Sequence, residues 1–200
     1  MTHRYRGERR DFYYKEAKQV GYRARSAFKL KHIQNKFKII RKGDTVIDLG
    51  ASPGGWSQVA KHFTGENGTV IGIDLLPIQP IDGISFLQGD ITEKKTIDFI
   101  KTIIGNNRVN VVLSDVSPDI SGNYSIDHAR SIYLCEHSLK LGDIFLKPHG
   151  NFICKVFTGE ELDEFIKKLQ FRFKTVKLFS PPSSRKRSSE IYIIACSHYG

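Results

Sequence analysis

Ala27, Leu30, Ile33 and Phe37 recur at three- or four-residue intervals with Lys29, Lys31 and Lys36 between them, a spacing that predicts a helix starting after Ser26 with a basic outer face. Beyond Lys42 the pattern changes to short β-rich runs that alternate with helical ones. Strands are expected at Thr45 to Leu49, Val70 to Asp74, Ile84 to Gln88, Val109 to Ser114 and Asn151 to Val156. Helices are expected at Gly55 to Phe63, Lys94 to Ile104, Ile126 to Leu146 and Glu160 to Leu169. Such alternation is the mark of crossover units and a mostly parallel sheet. Residues 1–21 show no clear period and are expected to be a basic tail that orders on binding, ahead of a single domain over 22–200.

Two more strands, Lys174 to Phe179 and Glu190 to Cys196, are separated only by Ser180 to Ser189. That connector is too short for a helical crossover, so the last two strands should pair antiparallel. The expected fold is α/β, with a seven-stranded, mostly parallel sheet closed by a C-terminal antiparallel hairpin.

Charge adds a partner to this picture. The chain has a formal charge of +10, and residues 1–43 hold fourteen Lys or Arg against three Asp or Glu, while the remainder is close to neutral. One strongly cationic flank on an ordinary α/β domain suits a polyanion. A membrane surface fits less well, because the flank lacks an apolar face to anchor it. The polar N-terminus and the lack of a long apolar run point to a cytoplasmic protein. Cys135, Cys154 and Cys196 are widely spaced in apolar runs, so they are expected to be reduced packing residues, without a disulfide framework or a metal site.

The strongest local chemistry lies in Asp48-Leu49-Gly50-Ala51-Ser52-Pro53-Gly54-Gly55-Trp56, which follows a strand and opens a helix. Glycines there let the backbone turn sharply in the region where open α/β sheets bind cofactors. Asp74 ends the second strand about twenty residues on, where a carboxylate can accept from ribose hydroxyls. Asp90 follows the third strand. The Pro53-Gly54-Gly55 run breaks the Gly-x-Gly-x-x-Gly spacing that a dehydrogenase would prefer.

Four motifs in order, Ser26-Ala27-Phe28-Lys29-Leu30, Asp48 through Trp56, Ser114-Asp115-Val116-Ser117-Pro118 and Cys154-Lys155-Val156-Phe157, with Ser121-Gly122-Asn123-Tyr124 after the third, resemble the FtsJ-type RNA 2'-O-methyltransferase family over roughly residues 20 to 197. The resemblance implies a class I methyltransferase fold, S-adenosylmethionine as cofactor, and a Lys-Asp-Lys-Glu tetrad at Lys29, Asp115, Lys155 and Glu190. It also implies cofactor contacts from Gly54, Gly55, Trp56, Asp74, Asp90 and Asp115, with Asp90 meeting the adenine amino group. A ribose hydroxyl is a weak acid, so it must be activated and aligned. Lys155 is expected to be the general base, Lys29 a second positive charge near it, Asp115 its orienting group, and Glu190 the holder of a lysine or of the ribose.

The family's short members act on large-subunit ribosomal RNA, at a uridine, which makes ribosomal RNA the expected substrate. A transfer RNA anticodon loop is the alternative, and a non-catalytic RNA-binding protein is a second one. A monomer that binds RNA and not DNA is expected. Methylation of a base amine would call for Asn/Asp-Pro-Pro-Tyr/Phe in place of Ser114 to Pro118, and carbon-5 methylation for a cysteine in a suitable loop. Tyr5, Phe12, Tyr13, Tyr14 and Tyr22 interleave with Arg4, Arg6, Arg9, Arg10, Lys15, Lys18, Arg23 and Arg25, a combination suited to base stacking and phosphate contact. Arg185, Lys186 and Arg187 form a second basic cluster, expected to line the same groove.

Overall fold

Val46, Ile47 and Leu49 are fully buried, because a parallel strand in the middle of an α/β sheet is covered on both faces. In the computed structural model, which describes residues 4–184 and 189–200 with side chains from Phe12 onward, this strand is β1 (Thr45–Leu49). The other strands are β2 (Thr69–Asp74), β3 (Ile84–Gln88), β4 (Val109–Ser114), β5 (Leu146–Phe157), β6 (Phe173–Phe179) and β7 (Glu190–His198). They form one seven-stranded sheet in the order β3-β2-β1-β4-β5-β7-β6. The first five are parallel, and β7 pairs antiparallel with both β5 and β6, as the short connector requires.

The helices are α1 (Arg4–Gln19), α2 (Ala27–Phe37), α3 (Gly55–Thr64), α4 (Lys94–Ile104), α5 (Tyr124–Phe145) and α6 (Leu162–Gln170). Two apolar layers result. On one face Leu30 and Ile33 of α2 and Val59 of α3 pack on Val46, Val111 and Ile153; on the other Ile100, Leu139 and Phe165 pack on Ile71, Val112 and Phe152. Cys135 and Cys154 are buried thiols, whereas Cys196 is half-buried. No helix among the described residues is long and apolar enough to cross a membrane.

The one departure from the expected elements is α1, a helix where an irregular tail was expected. Tyr13 packs on the rings of Phe28 (5.4 Å between centroids) and His32 (6.1 Å), and Ala17, one turn on, is buried. Two small contacts one turn apart are enough to dock a helix, but too few to create an apolar stripe in a sequence so rich in charge. Of the described aromatics in the basic flank, Tyr13 and Tyr22 are spent on Phe28, and Phe12 and Tyr14 are exposed.

His128 of α5 fixes the carboxyl end of β5. Its Nδ1 is 3.0 Å from the Phe157 carbonyl, and the Glu161 N–H donates to its Nε2 at 3.1 Å, so Nδ1 carries the hydrogen. Gly159 lies against this ring so closely that a Cβ there would stand 2.3 Å from His128 Cγ. Gly159→Ala must displace the imidazole and both hydrogen bonds. Urea denaturation should show a loss of about 1–3 kcal/mol, the usual range for forced overpacking; a variant as stable as the parent would mean that the ring and loop relax freely.

Candidate active site

The sheet reverses its winding between β1 and β4, and the carboxyl ends of strands at such a point form a crevice. Gly50 closes the bottom of it. Its φ is 73°, and a Cβ would fall 2.9 Å from the backbone of Val116, so the turn after β1 touches the loop after β4 only because residue 50 is glycine. Gly54, at φ 114°, makes the corner into α3. This helix has no side-chain cap, so its first N–H groups are left to solvent or to a ligand.

Asp74 ties two loops together. Its Oδ2 accepts the Ser52 N–H and its Oδ1 the Leu76 N–H, both at 2.9 Å, and each oxygen keeps a second lone pair. Asp90 holds its own loop, with Oδ1 accepting from the Thr92 N–H and hydroxyl at 2.8 Å. These bonds keep the Asp90 carboxyl below its ordinary range, so it is ionised at neutral pH. The Trp56 side chain is buried, with Nε1 donating to the Ser26 carbonyl at 2.9 Å and the indole 5.6 Å from the Tyr192 ring.

The four expected catalytic residues come together as two ion pairs. Lys155 Nζ lies 3.2 Å from Asp115 Oδ1 and donates to the Asp115 carbonyl at 2.8 Å. Lys29 Nζ lies 2.8 Å from Glu190 Oε2. Both lysines are buried. Each lysine has its own carboxylate, and Glu190 holds a lysine, one of the two roles expected of it.

Between the pairs stands Tyr192, which the sequence analysis missed. Its hydroxyl donates to Asp115 Oδ1 at 2.8 Å, and Lys29 Nζ sits 5.5 Å from its ring centroid. Burial, and after it the charges of Asp115 and Glu190, push the phenol well above its usual value, so it stays a donor. Tyr192 lies opposite Lys155 across β5 and β7, two residues from Glu190, and the alternation of that strand was the only signal that pointed to it. Behind Lys155, the Cys135 thiol donates to its carbonyl at 3.0 Å.

Asp48 is the buried acid under the turn. Oδ2 accepts from the Ser57 hydroxyl at 2.6 Å, while Oδ1 is buried without a partner. Desolvation raises its carboxyl to about 7; the Ser57 hydrogen bond opposes this, and the charges of Asp115 and Asp74 add to it. The folded protein therefore holds a proton that the unfolded chain, with a carboxyl near ~4, gives up earlier. This contribution to stability is fully present below pH ~4 and is lost as pH rises through about 7. Asp48→Asn, neutral at every pH, should gain stability relative to wild type between pH ~4 and about 7 in parallel denaturation series. A difference that stays constant over that window would mean that Asp48 is ionised in the fold.

The crevice suits S-adenosylmethionine on its own chemistry. Asp74 has lone pairs for sugar hydroxyls, Asp90 is an ionised acceptor for an amino group, and the uncapped start of α3 suits a carboxylate. The profile of the FtsJ-like methyltransferase family matches residues 22–198. The chain is 49% identical over 187 residues, 94% of its length, to the Ribosomal RNA large subunit methyltransferase E of Methanosarcina mazei, and spans 69% of that relative. It is 46% identical over 187 residues to the protein of the same name from Methanothrix thermoacetophila, of which it spans 72%. A Plasmodium falciparum structure described as a ribosomal RNA methyltransferase superposes with a TM-score of 0.82 at 28% identity, over 90% of this chain and all of that one. The chain belongs to the FtsJ-like methyltransferase family, whose methyl donor is S-adenosylmethionine.

Proposed function

We propose that this protein methylates a ribose 2'-hydroxyl, that of a uridine, in large-subunit ribosomal RNA. The observation that carries the reading is the union of Lys155, Asp115, Tyr192, Lys29 and Glu190 in one array beside the carboxyl ends of the parallel strands, with both lysines and Tyr192 buried. The names of the Methanosarcina and Methanothrix relatives favour ribosomal RNA over a transfer RNA anticodon loop. The intact array speaks against a non-catalytic RNA-binding role.

Residues 22–200 form the catalytic domain in this reading, Gly54, Gly55 and Trp56 offer backbone groups to the cofactor, and Asp74, Asp90 and Asp115 offer carboxylates. S-adenosylmethionine, when bound, supplies a methyl group already activated by the sulfonium. Lys155 takes the hydroxyl proton, which it can do only as the free amine. Asp115 holds the Lys155 Nζ by its carbonyl and by Oδ1, and Tyr192 fixes the same oxygen from the other side. Glu190 is held by Lys29 and orients the ribose, so the nucleophile is delivered in line and not left to rotate.

Helix α1 is the RNA arm. Its exposed Phe12 and Tyr14 offer stacking faces among the basic residues. The expected union of the two basic clusters has support in His32, which touches Tyr13 of α1 and lies 3.2 Å from Ser183 Oγ in the β6–β7 connector. Arg185, Lys186 and Arg187 themselves lie outside the described residues. The reading has the protein working in the cytoplasm, as a monomer, on RNA and not on DNA.

Incubation with labelled cofactor and separated ribosomal particles, ribosomal RNA and transfer RNA should place the label on a ribose of the large-subunit RNA. Label on transfer RNA would favour the second reading, and label on a base would refute both. Lys155→Ala should bind cofactor and RNA normally yet turn over slower by at least ~10²-fold; a near-normal rate would remove Lys155 as the base. Replacing the arginines of residues 4–10 by Gln should flatten the plot of log affinity against log salt by ~0.7–0.9 per lost phosphate contact. An unchanged slope would take α1 out of the interface.

A further inference from the structure

The segment from Gly21 to Ser26, which joins α1 to α2, runs along the glycine-rich turn and the first turns of α3. Gln58 Nε2 donates to the Gly21 carbonyl and the Arg23 N–H donates back to Gln58 Oε1, both at 2.9 Å. A Cβ on Gly55 would meet Ala24 Cβ at 3.2 Å, and one on Gly54 would lie 2.8 Å from Ile81 Cδ1 and 3.4 Å from Arg23 Cδ. The side-chain space of both glycines is thus filled by the chain itself. Trp56 completes the seam through the Ser26 carbonyl.

At the centre is the Arg23 guanidinium. It donates to three carbonyls: Pro53 at 3.3 Å, Gln79 at 2.5 Å and Pro80 at 2.7 Å. Pro53 belongs to the turn after β1, and Gln79 and Pro80 to the connection between β2 and β3. Asp74 ties the same two loops through the N–H groups of Ser52 and Leu76. One clamp is a carboxylate that accepts from the loops, and the other is a guanidinium that donates to them.

We propose that Arg23 is a positioning residue for S-adenosylmethionine, setting the separation of the two loops that border the cofactor through its bonds to Pro53, Gln79 and Pro80. Its two terminal nitrogens are engaged with carbonyls of its own chain, which sets it apart from the other basic residues expected to contact phosphate. A guanidinium can bridge two separate loops with its several donors, whereas a lysine ammonium reaches from one point.

The test compares wild type, Arg23→Ala and Arg23→Lys. Calorimetry with S-adenosylmethionine and S-adenosylhomocysteine reads the cofactor, and a salt series with ribosomal RNA reads the phosphate contacts. Loss of charge-assisted hydrogen bonds should weaken the cofactor by about tenfold or more in Arg23→Ala, with Arg23→Lys recovering only part. In steady state the cofactor KM should rise more than kcat falls, and the RNA salt slope should match wild type. Wild-type cofactor affinity in either folded variant overturns the proposal, and should Arg23→Ala fail to fold, Arg23→Lys decides alone. A salt slope reduced by about one phosphate contact with cofactor affinity intact would return Arg23 to the RNA. Neither readout depends on which ribose is methylated, so the outcome is separate from that of the proposed substrate.

Discussion

Antiparallel pairing of β7 against β5 is the constraint on which the site depends. The register sets Tyr192 opposite Lys155 and Glu190 opposite Phe157. Because side chains alternate faces along a strand, a slip of one residue would carry Tyr192 and Glu190 to the other side of the sheet, taking the Tyr192 hydroxyl from Asp115 and the carboxylate from Lys29. Apolar burial locks that register, since Ile193 and Ala195 belong to one core layer and Tyr192 and Ile194 to the other. The hydrophobic pattern that folds β7 is therefore the same one that aims its chemistry.

Electrostatics impose the second condition. Asp48, Asp74, Asp90 and Asp115 all lie at or near the carboxyl ends of parallel strands, where mutual repulsion would be costly if all were bare. Each is handled differently. Asp74 accepts backbone N–H groups from two loops, Asp90 accepts the N–H and hydroxyl of Thr92, Asp115 is paired with Lys155 and Tyr192, and Asp48, the most buried, keeps its proton up to about 7. A cationic cofactor entering this crevice meets acceptors already oriented by the fold, which lowers the cost of organising them at the moment of binding.

The basic flank divides by depth. Its inner members, Tyr13, Ala17 and Tyr22, seat α1, and Arg23, itself exposed, bonds to carbonyls of the loops after β1 and β2. The outer members, Phe12 and Tyr14, remain for a partner. Composition marks the whole flank as cationic but cannot divide it, because the division depends on which way each side chain leaves the helix and what lies across from it.

Element positions were legible in the sequence because they follow from local properties. Alternation marked the strands, three-to-four spacing marked α2 to α6, and a ten-residue connector left β6 and β7 no choice but to run antiparallel. Motif order brought Lys29, Asp115, Lys155 and Glu190 into one hypothesis. Tertiary structure alone decided how they pair, that Tyr192 stands between them, that Arg23 bonds to carbonyls of its own chain and that residues 4–19 are helical. Each of these depends on contacts between segments far apart in the chain, as with Lys29 and Glu190, whose balance of packing, Coulomb attraction and desolvation cost no window of neighbouring residues contains.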